Sequence, residues 1–98
     1  MPYASKVVLK LPIQDRTLLA DFVEACLRDH VELLCVSGDG SDAVEDEIDA
    51  LIYGDGSDDA RFIVTTSHKD EPLEDVIEFA TNWAGDGADG EPPSVVRL

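Results

Sequence analysis

Positive charge is what this sequence has least of: seven Lys plus Arg stand against 22 Asp plus Glu, a formal charge of -15 at pH 7. Between Asp29 and Ala60 there is no Lys or Arg at all. So negative a surface argues against nucleic acid and against anionic membranes, since both require a cationic face. Cysteine is sparse too. Cys26 and Cys35 occupy apolar positions, with neither the CxxC spacing nor the histidine neighbours that redox or zinc chemistry would use, so buried reduced thiols are expected. Nowhere do about 18 apolar residues run together, the length a membrane helix needs. The expectation is a soluble, cytoplasmic protein with no cofactor. At 98 residues and 44% hydrophobic content the chain suits one core, hence one domain over residues 1–98. Its core should cover roughly residues 5–84, followed by a turn-rich tail over 85–98.

Residues 31–53, VELLCVSGDGSDAVEDEIDALIY, organise the rest. Val31, Leu33 and Cys35 alternate with Leu34 and Val36, so both faces of a strand would be buried, as in a parallel sheet covered by helices. A glycine-rich turn follows. Val44, Ile48, Leu51 and Ile52 then recur at helical spacing, with Glu45, Asp46, Glu47 and Asp49 mostly outside the stripe. Upstream, Lys6 to Leu11 reads as a strand ended by Pro12. Asp15 is placed to cap a helix carrying Leu18, Leu19, Phe22, Val23, Cys26 and Leu27. That helix ends near Asp29-His30 without a glycine.

Downstream, Gly54 fits the position just past a helix, Arg61 to Ser67 reads as a third strand, and Pro72 opens a third helix with Leu73, Val76, Ile77, Ala80, Trp83 and Ala84 on one side, closed by Gly85. The order βαβαβα predicts an α/β domain with a mainly parallel three-stranded sheet joined by right-handed crossovers. Val95, Val96 and Leu98 could add a fourth, C-terminal edge strand, and the sequence leaves open whether 94–98 joins. The lysines of the first strand favour the second strand as the central one, with a 2-1-3 order as the alternative.

GDGSD occurs at Gly38–Asp42 and Gly54–Asp58, and GDGAD at Gly85–Asp89. Neither the ligand spacing of an EF-hand nor the tandem nonapeptides of a calcium solenoid accompany them, so turn chemistry explains them better than metal. The first copy stands where open α/β sheets bind ligands, between a strand's end and a helix start. Its own acids would repel a phosphate unless a cation intervened, and Asp42 with Glu45 resembles a capping box. Thr65–His68, TTSH, ends the third strand at the same pole, which gathers Asp15, Ser37, Asp39, Ser67 and His68 as a candidate strand-end site. Ser67 and His68 are adjacent on a strand and point opposite ways, and no G-x-S-x-G elbow surrounds the serine, so no catalytic residue is assigned.

The phrases LLADFVEACLRDHVELLCV and DEIDALIYGDGSDDARFIVTTSHKDEPLEDVIEFATNW resemble a small uncharacterised bacterial family, a domain of unknown function, over roughly residues 6–84. The resemblance implies a bacterial cytosolic origin and carries no activity, cofactor or catalytic residue. The acids then admit two readings. One is a non-catalytic module that meets a basic protein partner through Asp39, Asp42, Glu45, Asp46 and Asp49, with electrostatic steering. The other is general acidification for solubility or a saline cytosol, which the acids of the third helix, Glu71, Glu74, Asp75 and Glu78, support. A binding module is the expected function. The alternative is a small Rossmann-like enzyme, or a metal- or phosphate-binding domain, with its site at the strand ends.

Overall fold

Four strands and three helices alternate in the order the apolar periodicity sets: β1 (Lys6–Lys10), α1 (Leu19–Arg28), β2 (Leu33–Ser37), α2 (Ser41–Tyr53), β3 (Val64–His68), α3 (Leu73–Asn82) and β4 (Ser94–Val96). These come from a computed structural model that describes residues 3–54, 56, 62–83 and 92–98. The strands form one parallel sheet in the order β3-β2-β1-β4. The C-terminal strand therefore does join the sheet, beside β1, and β2 does lie between β1 and β3. With the fourth strand in place, β1 is interior as well.

This order divides the helices. The chain steps from β1 to β2 to β3 in one direction and then returns across the sheet to β4, so crossovers of one hand put α1 and α2 on one face and α3 on the other. The core follows that division. Val7, Leu9, Leu34 and Val36 pack with Phe22, Val23 and Cys26 of α1 and with Val44, Ile48 and Ile52 of α2. Val8, Leu33 and Cys35 pack with Val76 and Ala80 of α3. Residues of one strand thus alternate between two cores, and β2 is buried along its whole length. A strand inside a helix-covered sheet has no polar face to show.

Two local details depart from the periodicity. Val31 joins the α1–α2 core with Leu34 and Val36, not the face of Leu33 and Cys35, because it still belongs to the end of α1. Its N–H bonds the carbonyl of Cys26 at 3.0 Å while the N–H of His30 bonds that of Leu27, the pair of bonds of a Schellman helix end. The left-handed residue such an end requires is His30, at φ 60°, where glycine is usual. His30→Gly should therefore raise stability by about 1 kcal/mol, the cost a side chain incurs there. Urea unfolding would show it, and a loss of stability would refute the assignment of strain.

The second detail is Lys6, an interior lysine only 1% exposed. Its stem lies on the α3 face, and its Nζ donates to the carbonyl of Thr81 in the last turn of α3 at 3.0 Å. A cation belongs at that end, where helix carbonyls are unpaired and the dipole is negative.

Candidate functional site

Side chains at the C-terminal ends of the strands are positioned by the parallel register. Lys10 pairs with Ser37 and Ser37 with His68 across β1, β2 and β3, so these three share the α3 face in one row. Leu9 pairs with Val96, which sets Arg97 beside Lys10 just beyond β4. Loop geometry holds this pole close: Gly38, at φ 123°, donates its N–H to the carbonyl of His68, and a Cβ on it would come within 3.1 Å of Leu11.

The five candidate strand-end residues do not converge. Asp15 caps a 3-10 turn, Arg16–Leu18, that leads directly into α1; its Oδ1 accepts from the N–H of Thr17 at 3.0 Å and the Thr17 hydroxyl at 2.5 Å. Asp39 is exposed in the loop after β2. Ser67 turns to the α2 side, where its hydroxyl donates to Asp42 Oδ1 at 2.6 Å. Ser37 and His68 occupy the opposite face.

His68 has other partners. Its Nδ1 lies 2.5 Å from Glu71 Oε2 and its Nε2 lies 2.7 Å from Thr66 Oγ1, with the Phe79 ring at 5.1 Å. An ionised carboxylate only accepts, so Nδ1 carries the proton, and Nε2 of a neutral ring accepts from the threonine hydroxyl. Hydroxyl, imidazole and carboxylate in that sequence have the connectivity of a nucleophile, base and orienting acid. Here the imidazole is buried under Phe79, and the trio ties the end of β3 to the turn before α3. The signal for it was the strand period: Thr66 and His68, two apart, share a face, with Glu71 three residues on.

The acids of α2 have a different geometry from a capping box. The N-cap is Gly40, at φ 83°, without a side-chain cap bond, and Asp42 reaches sideways to β3 rather than back to the helix start. Asp49 does the same two turns later, accepting from the Thr65 hydroxyl at 2.6 Å. Glu47 pairs with Arg16 on its other flank. Asp46 is exposed and Glu45 half-buried. Along the helix, Asp42, Asp46, Asp49 and Tyr53 fall at i, i+4, i+7 and i+11, one continuous outward stripe. Tyr53 is 69% exposed, and its ring leaves no room for a side chain at Gly56, where a Cβ would come within 2.7 Å of the hydroxyl.

Ionisation elsewhere is set by burial. Burial pushes the Cys26 thiol up to about 12, with the Asp29 carboxylate adding to it. Cys35 is also raised by burial, with a hydrogen bond between it and the Thr66 side chain pulling the other way. Asp29 is held below its usual range, first by the N–H of Tyr3 at 3.0 Å and then by Arg28, which fastens the N-terminal segment to the end of α1. Among the described residues no group of three or more His, Cys, Asp or Glu is arranged to hold a metal ion. No helix of the described residues is long and apolar enough to cross a membrane.

Comparison with curated proteins and with solved structures finds no match. Residues 1–95 match the family described as Domain of unknown function (DUF7684), and the chain belongs to that family.

Proposed function

We propose that this protein is a non-catalytic binding module whose α2 face receives a basic segment of a partner protein. The observation that carries this reading is the stripe Asp42, Asp46, Asp49 and Tyr53, flanked by Glu45 and headed by Asp39, on a helix with no Lys or Arg of its own. Recognition surfaces combine directional charge with an aromatic anchor, and Tyr is among the residues that dominate binding energy. Asp42 and Asp49 are pre-positioned by the hydroxyls of Ser67 and Thr65, so less rotamer freedom is lost when a cation arrives. Bacterial and cytoplasmic placement belongs to the same proposal, supported by two buried thiols that are both free.

General acidity and recognition differ in where a cationic probe lands. Nona-arginine titrated into the labelled protein should shift amide resonances along α2 and at Tyr53, while the acids of α3, Glu74, Asp75 and Glu78, move little. Asp46→Asn with Asp49→Asn should weaken that binding about tenfold, the worth of one charge-assisted hydrogen bond at a partly exposed site. Shifts spread evenly over α2 and α3, together with stability rising steeply in added salt, would assign the acids to solubility instead.

A further inference from the structure

We propose that the cleft between the ends of β1 and β4 binds a small phosphomonoester dianion through Lys10 and Arg97. The order β3-β2-β1-β4 reverses direction between β1 and β4, and in open parallel sheets the crevice beyond the C-terminal ends at such a reversal is where ligands lie. A cleft of about 230 Å³ occupies that place here, lined by Lys10, Leu11, Pro12, Gln14, Arg97 and Leu98. It is separate from the acidic stripe on α2 and stands or falls independently of it.

The lining is chemically unusual for this chain. Only seven of the 98 residues are Lys or Arg, and two of them line this one cleft, while Arg16 and Arg28 are paired elsewhere with Glu47 and Asp29. Lys10 and Arg97 have no ion-pair partner among the described residues, yet the register places them side by side at the cleft. Two adjacent like charges repel unless an anion lies between them, and a dianion neutralises both. Their head groups are complementary: the guanidinium offers a planar fork and the ammonium a point charge, the combination that suits a tetrahedral oxyanion. Gln14 adds an amide that can donate, and Leu11, Pro12 and Leu98 give an apolar wall for a short carbon chain.

The frame is fixed by backbone bonds. The N–H groups of Gln14 and Asp15 both donate to the backbone oxygen of Leu98 at 3.2 Å, which clips the segment after β4 to the loop after β1. Those donors are used, so the ligand is held by side chains. The volume lies below the roughly 300 Å³ at which cofactor and drug-sized pockets begin, which selects a compact phosphate ester over a nucleotide. A phosphomonoester carries about -1.5 to -2 charge at pH 7 and offers three acceptor oxygens.

The test is a titration of the labelled full chain at pH 7.5 with inorganic phosphate and then glycerol phosphate, at constant ionic strength, followed by amide and Arg side-chain resonances. Saturable shifts at Leu11, Gln14 and Arg97 are expected with both, tighter for the ester. Arg97→Gln, at an exposed position, should weaken binding about tenfold with the spectrum otherwise unchanged, and Lys10→Gln should do the same. Non-saturating or scattered shifts, or shifts unaffected by either substitution, would overturn the site. Equal binding of succinate would overturn its preference for phosphate.

Discussion

Ile48→Ala should lower the unfolding free energy by about 2–5 kcal/mol, the range for truncating a fully buried aliphatic side chain with its cavity left behind. Ile48 is fully buried at the centre of α2, where it joins the core that Leu34 and Val36 of β2 form with α1. Since small domains are stable by only about 5–15 kcal/mol, that is a large share of the total. Asp46→Ala, two residues away on the solvent side, should change stability by no more than about 0.5 kcal/mol. Denaturant unfolding of the two variants reads this contrast. Comparable losses would mean that α2 buries a different face, and the acidic stripe would lose its exposure with it.

The two cysteines should be almost inert in the folded protein. A thiol at about 12 is ionised to about one part in ten thousand at pH 8, whereas one at its ordinary value of 9.0 is about a tenth ionised, so alkylation of Cys26 should be roughly a thousandfold slower than in the unfolded chain. Cys35, raised for the same reason, should be protected in the same direction. Below pH 9 the Cys26 thiol is protonated in both states and the folded state keeps its full advantage. Between about 9 and about 12 the unfolded chain ionises Cys26 while the folded one does not, so stability falls as pH rises through that window. Replacing Cys26 by alanine should flatten that alkaline slope even though it weakens the core. Fast iodoacetamide labelling of the native protein at pH 8 would contradict the burial.

Much of this architecture was legible because burial leaves period in sequence. The double-sided apolar run of β2 and the four-residue stripe of α2 each have one reading, and they stand where that reading puts them. Other features depend on contacts that no local pattern encodes. β4 is three residues long and half-buried, and only its pairing with β1 makes it a strand. The lysines of β1 suggested an exposed edge, yet Lys6 is buried because its long stem carries the charge to the carbonyl end of α3. The capping box failed for a positional reason: α2 begins two residues earlier than an Asp42 cap requires, leaving that side chain free to reach Ser67. Gly85 and most of the second and third glycine-aspartate repeats, Asp55, Ser57, Asp58 and Gly85–Asp89, lie outside the described residues, as does Arg61 at the expected start of β3. The strand-end constellation failed by alternation, which sends Ser67 and His68 to opposite faces, and the neighbouring cations Lys10 and Arg97 were invisible until the sheet order set them together.

Both surfaces depend on the order β3-β2-β1-β4, which sets the acidic stripe of α2 over β3 and the two cations at the junction of β1 and β4. Cross-strand NOEs test it directly. Val8 should show contacts to both Cys35 and Val95 in a parallel pattern, with β3 contacting only β2 within the sheet. Contacts placing Val95 beside β3, or an antiparallel pattern between any two strands, would contradict the fold and both surfaces built on it.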